Sequence, residues 1–143
     1  KYEKRIYTLW PTKTWAFRKE FGIPVWHLGL PINYLIELCD QWGRVCFGSA
    51  GEYWQIGTSK WCHRMDEAFN ALVNTYGRQI PWVHGMRMLG QSAGPYPLAS
   101  ADSTNVAVNH SGNLECAGCM AKRIDSTNPP TFWQKNPLQE TLC

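Results

Sequence analysis

No run of about 18 apolar residues occurs in the chain, so nothing in it predicts a membrane-spanning helix. No signal peptide is visible, and there is no Walker loop, dinucleotide-binding fingerprint or GxSxG elbow. These absences remove P-loop nucleotide hydrolysis, Rossmann-type hydride transfer and α/β-hydrolase chemistry from consideration. Internal repeats and low-complexity tracts are missing too, which argues against a solenoid or a disordered tail. Charge is scarce: 17% of residues are Asp, Glu, Lys or Arg, where soluble domains average about a quarter. The net charge of +3 is not gathered into an obvious basic run. It permits a nucleic-acid partner without arguing for one.

What the chain has in excess is tryptophan, 8 in 143 residues. That number implies a large aromatic core or exposed stacking surfaces. The length suits one domain, 1–143, with a real core. Of the 6 cysteines, Cys39 and Cys46 sit among apolar neighbours, as reduced core thiols do. Reduced thiols and the missing signal peptide predict a cytoplasmic protein.

Four short apolar runs bounded by glycine or proline read as strands: PVWHLG (24–29), RVCFGS (44–49), PWVHGMRM (81–88) and YPLASAD (96–102). Helical patterns alternate with them. In 31–42, Pro31 suits the first helical position, and Ile32, Leu35, Ile36, Cys39 and Trp42 share a face. In 58–77, Thr58 or Ser59 caps the start, Trp61, Met65, Phe69, Leu72, Val73 and Tyr76 form the stripe, and Gly77 ends the helix. A further helix is expected over about 114–127, stopped by Pro129 and Pro130. The first twenty residues read as helical or irregular. The fold class is therefore α/β, built of parallel βα units. The link over 89–95 is too short for a crossover helix. Four such strands would make half of a TIM-type (β/α)8 barrel, in which function gathers at the carboxyl ends of the strands.

The unusual polar groups do fall at those ends. Asp102, in LASADSTN, reads either as a helix cap or as a nucleophilic carboxylate that attacks an anomeric carbon. Glu52, in GSAGEYW, is either a solvated loop acid or a reader of a flat polar ligand. Gly48 and Gly51 beside it would let the backbone approach, with Ser49 in the same loop. His27 and His84 end strands, either as structural residues or as ligand-orienting ones. Met86 and Met88 can wall a flat pocket or fill the core. Cys116, Cys119, Cys143 and His110 make a countable but weakly patterned zinc set, because no second closely spaced cysteine pair accompanies the CxxC. The arginines at 44, 64, 78 and 87 are candidates for a phosphate-binding rim or ordinary surface charges.

Taken in order, GSAGEY, WVHGMRM and SADSTNVAVNHSG resemble the last strand ends of the tRNA-guanine transglycosylase superfamily. It includes queuine and archaeosine enzymes and phage relatives that place 7-deazaguanines in DNA; the phage type is the closest likeness. The resemblance covers about 24–112, leaving 113–143 as a helical tail. It implies that Asp102 is the nucleophile, that Gly48, Ser49, Gly51 and Glu52 cradle the base, and that Met86 or His84 walls the pocket. His27 stands where the family usually has glutamine. It implies exchange of guanine for a 7-deazaguanine in tRNA or DNA through a covalent aspartyl-sugar intermediate. No cofactor is required, and zinc is an option that the absence of a histidine after Cys119 weakens. The family's full barrel implies a missing amino-terminal half or a homo-oligomeric partner. Rival readings are a non-catalytic purine- or nucleotide-binding protein, a glycosidase using water as acceptor, and a structural assembly module.

Overall fold

The computed structural model describes residues 21–103 and 116–135. Strands β1 (Val25–His27), β2 (Arg44–Gly48), β3 (Trp82–Gly85) and β4 (Ser100–Ala101) form one four-stranded sheet in that spatial order. Every neighbouring pair is parallel. Helix α1 (Ile32–Trp42) joins β1 to β2, and α2 (Ser59–Tyr76) joins β2 to β3. A single 3-10 turn, Leu89–Gln91, stands in the link from β3 to β4, and α3 (Ala117–Asp125) follows the sheet. The alternation of strands and helices thus gives the α/β fold and parallel pairing expected from the sequence.

The helix signals act nearly as read. The Thr58 side chain accepts from the Trp61 N–H at 3.4 Å, and Gly77 closes α2 at φ 70°. Gly43, not singled out by the sequence pattern, closes α1 in the left-handed conformation at φ 65°. Pro31 is a correction. It sits one residue earlier than expected, as the extended N-cap of α1 (ψ 146°), because its ring fixes φ without forcing a helical ψ. Cys116 likewise caps α3 from outside instead of lying within a helix begun at 114.

The strands are shorter than their apolar runs. Tyr96 and Leu98 turn into the core before pairing starts, so 96–102 yields only Ser100–Ala101. The run 81–88 pairs only through Gly85. Arg87 then adopts φ 61°, which no strand residue tolerates.

Side chains alternate across a strand, and here the two faces have different fates. Trp26, Val45, Phe47 and Val83 point to one face and are buried with Leu35, Leu38 and Cys39 of α1 and Trp61, Met65, Phe69 and Leu72 of α2. Phe69 stacks on Tyr96, and Trp133 stacks on Tyr96 in turn, 5.6 Å between centroids in each pair. The tryptophan excess is thus partly a core property. The opposite face carries Val25, His27, Cys46, Trp82, His84 and Ser100, and neither α1 nor α2 packs on it. Trp82 is 71% exposed and Val25 37%. All-parallel sheets are normally covered on both faces, and here both long helices lie on one of them.

Candidate functional site

Register places the polar groups of the face opposite α1 and α2 in rows. Val25 pairs with Cys46, Cys46 with His84, and His84 with Ser100, one residue from each strand. Nearer the carboxyl ends, His27 pairs with Gly48, and Asp102 follows β4 directly. β2 and β4 are separated by β3 alone, about 10 Å from axis to axis.

Asp102 is held from several sides. Its own N–H donates to the Gly85 carbonyl at 3.2 Å, and its carbonyl accepts from Leu89 N–H at 3.1 Å. Its Oδ1 accepts the Arg87 N–H at 2.5 Å. Its Oδ2 lies 3.5 Å from His84 Nε2. The other imidazole nitrogen, Nδ1, is 2.8 Å from Ser100 Oγ. The backbone N–H thus fixes one oxygen of the carboxylate. The carboxylate stays accessible, its side chain 57% exposed beside a His84 that is 24% exposed. Its charge is felt two strands away. Burial pushes the Cys46 thiol up, and the Asp102 carboxylate adds to that rise. Arg87 reaches its donating geometry through left-handed backbone, a conformation that costs a non-glycine residue about 1 kcal/mol or more.

The loop after β2 also lies at the carboxyl ends, with one correction to what its glycines do. Gly48 does not open space for a ligand. A Cβ built there would lie 2.6 Å from His27 Nδ1, so the missing side chain makes room for that imidazole. Gly51 has φ 59° and opens the 3-10 turn Gly51–Tyr53 that carries Glu52. Ser49 Oγ accepts from Trp61 Nε1 at 2.8 Å, tying the loop to a fully buried indole. Glu52 is engaged rather than free: Lys60 Nζ donates to its Oε2 at 2.5 Å, both side chains being 58% exposed. The hydrogen bond to Glu52 raises the Lys60 ammonium above its ordinary value.

Met86 is half-buried at the end of β3, and its N–H donates to the Phe47 carbonyl at 3.0 Å. Met88 is a core residue at 0% exposure. Of the four arginines, three serve the scaffold. Arg44 Nε donates to the Gly22 carbonyl at 3.0 Å. Arg64 binds the carbonyls of Leu28 and Leu30 and pairs with Glu67. The Arg78 guanidinium lies 4.4 Å from the centre of the Phe132 ring. Arg87 is the member of the set that stands at the strand ends.

Cys116 Sγ accepts the Cys119 N–H at 3.2 Å and lies 2.7 Å from Cys119 Sγ. His110 and Cys143 fall outside the described residues. Among the described residues no group of three His, Cys, Asp or Glu side chains is placed to hold a metal ion. No described helix is long and apolar enough to cross a membrane.

Ser100 was not singled out by the sequence reading. Its signal is the alternation in LASADS, which sets 100 and 102 on one face beside His84. Two open grooves, of 790 and 650 Å³, flank the 128–131 segment and include none of these strand-end residues. The second lies at the amino ends of β3 and β4, where Ile80 to Val83 and Pro97 to Ala99 line it.

No known protein family, curated protein or solved structure matches the chain.

Proposed function

We propose that the chain belongs to a base-exchange glycosyltransferase acting on guanosine in a nucleic acid. Asp102 attacks C1′ of the sugar from the face opposite the base, the N-glycosidic bond breaks with its electron pair on the base nitrogen, and guanine leaves, taking a proton from solvent. A 7-deazaguanine then attacks C1′ through its own ring nitrogen and releases that nitrogen's proton to solvent, while the Asp102–C1′ bond breaks and returns Asp102 as a carboxylate. Splitting the displacement in two preserves the configuration at the sugar. The nucleophile must be accessible and fixed. Asp102, with a backbone N–H on Oδ1 and an imidazole facing Oδ2, meets these conditions, and this observation carries the reading.

The order of motifs supports it as well. Ser49, Glu52 and His27 stand at the same ends of the sheet as His84, Met86 and Asp102. In this reading the face opposite α1 and α2 is the interior of a TIM-type barrel, and a complementary half, from further chain or a second copy, closes it. Glu52 exchanges Lys60 for the N–H edge of the base, which a surface ion pair allows at little cost. Arg87 and exposed aromatics such as Trp54 contact the nucleic acid around an extruded nucleotide.

The test is incorporation of labelled guanine into tRNA and into DNA by the purified protein, with trapping of a protein–sugar adduct. Asp102→Asn is expected to abolish both while leaving the far-ultraviolet dichroism unchanged. An adduct that persists in this variant removes Asp102 from the role. Purine binding measured by calorimetry without exchange supports a binding protein instead, and release of free base without incorporation supports a glycosidase. The exposure of Trp82 and Val25 on the face opposite α1 and α2 favours one further reading, an assembly module. Its mark is a stable oligomer with no affinity for purines.

A further inference from the structure

The Ser100–His84–Asp102 row contains more than the exchange reaction by itself asks for. A solvated carboxylate needs no imidazole partner, and a histidine that only walls a pocket needs no hydroxyl anchored to its far nitrogen. Both are present, in one line across β3 and β4: Ser100 Oγ 2.8 Å from Nδ1, and Nε2 3.5 Å from Asp102 Oδ2. The tautomer follows from the charges. A lone pair on Nε2 facing the carboxylate would be repelled, so the ring proton sits on Nε2 and Nδ1 accepts the Ser100 hydroxyl proton. Register fixes the row, because His84 pairs with Ser100 in the β3–β4 ladder and Gly85 with Ala101. On its other side His84 pairs with Cys46, whose thiol burial keeps protonated, so no second anion competes for the imidazole there.

We propose that Ser100 and His84 are positioning residues for Asp102. The hydroxyl fixes the imidazole, the imidazole fixes Oδ2, and the Arg87 N–H fixes Oδ1. The carboxylate is thereby locked in one rotamer, with its remaining lone pairs turned to the open end of the sheet. This inference rests on the exchange reading for its purpose but not for its geometry. No proton leaves the row during the reaction; its contribution is orientation, realised when the carboxylate meets C1′ at bonding distance. The same three residue types also suggest a serine nucleophile oriented by Asp102. The arrangement disfavours that use, because the converging backbone donor, Arg87 N–H, is spent on the carboxylate and not aimed beside Ser100 Oγ.

Nitrogen-15 spectra of the imidazoles, with His84 assigned by its absence in His84→Gln, test the geometry on the protein alone. The expected result is a single Nε2–H tautomer in the wild type, in Ser100→Thr and in Ser100→Ala, with the Nδ1 resonance moved in Ser100→Ala alone, where the hydroxyl that donates to it is gone. A wild-type Nδ1–H tautomer, or spectra unchanged by Ser100→Ala, overturns the proposal. Exchange kinetics test the purpose. Ser100→Ala is expected to lower kcat by about tenfold, the effect of one misplaced hydrogen bond, with KM for nucleic acid unchanged and with rescue by Ser100→Thr. A kcat equal to that of the wild type overturns the positioning role. Loss of the adduct in Ser100→Ala with its retention in Asp102→Asn reassigns the nucleophile and overturns it too. If the wild type performs no exchange, the transglycosylase reading fails, and the spectra still decide whether the row exists.

Discussion

The imidazole of His27 fills the space that a side chain on Gly48 would need, its Nδ1 2.6 Å from the ideal Cβ position. These two residues face each other across the β1–β2 ladder. Gly48→Ala is therefore expected to force the ring aside and to destabilise the protein by about 1–3 kcal/mol, as overpacking does. His27→Ala in the same chain should recover most of that loss. Urea denaturation of the two single variants and the double variant measures the coupling. Additive effects would mean that the contact does not constrain the site.

Arg87 tests stored strain. At φ 61° it pairs poorly with any β-branched side chain. Arg87→Gly keeps the N–H that Asp102 accepts and relieves the backbone, so its stability should equal or exceed that of the wild type by up to about 1 kcal/mol. Arg87→Val should fall below the wild type by about 1–2 kcal/mol. The reverse order in thermal melting would show that the guanidinium, and not the backbone, governs this turn.

Arg64 tests the scaffold under β1. Its guanidinium, 14% exposed, binds the carbonyls of Leu28 and Leu30 and lies 5.3 Å from the Trp26 ring. Arg64→Ala leaves two carbonyls short of donors and is expected to cost about 2–4 kcal/mol. Arg64→Lys should recover less than half, since an ammonium lacks the planar fork that reaches both oxygens. Full recovery by lysine would reduce the contact to charge alone.

Alkaline pH should weaken the fold from about 9 upward. Burial, helped by the charge of Asp40, pushes the Cys39 thiol from 9.0 up to about 12. Burial also raises the Tyr76 and Tyr96 phenols above 10.0, reinforced by Asp40 at the first and Asp66 at the second. Each group is protonated in the fold at a pH where the unfolded chain has released its proton. Their contribution is complete below pH 9 and declines as pH climbs toward 12. The urea midpoint should be flat from pH 7 to 8.5 and fall by pH 10.5, less steeply in Tyr96→Phe. A midpoint constant to pH 10.5 would contradict the burial of these groups.

Much of the architecture was legible because helix and strand signals here agree with the tertiary fold. Thr58, Gly77 and the stripe from Trp61 to Leu72 each do what their local chemistry dictates, and the short 89–95 link announced itself by length. The strand ends were not legible. Tyr96 and Leu98 have the composition of strand residues, but both are buried in the core, Tyr96 stacked between Phe69 and Trp133. At the site, types were readable and roles were not. Glu52 gave no sign of its Lys60 partner, because an ion pair eight residues apart across a 3-10 turn has no sequence period. Gly48 looked like clearance for a ligand, and only the facing strand reveals the imidazole it accommodates. Ser100 was overlooked because a serine in a strand is unremarkable until its cross-strand neighbour is known to be His84.

Trp133 lies far along the chain from the residues it completes. Its indole donates to Asn70 Oδ1 at 2.8 Å while its ring covers Tyr96 and Phe69. During synthesis Phe69 and Tyr96 leave the ribosome first, and they stay wet on that side until the indole emerges. The cluster that Phe69 and Tyr96 begin is thus completed by a segment that lies beyond the sheet in sequence. A nascent chain halted before it would expose a sticky aromatic platform, a natural point of capture for chaperones.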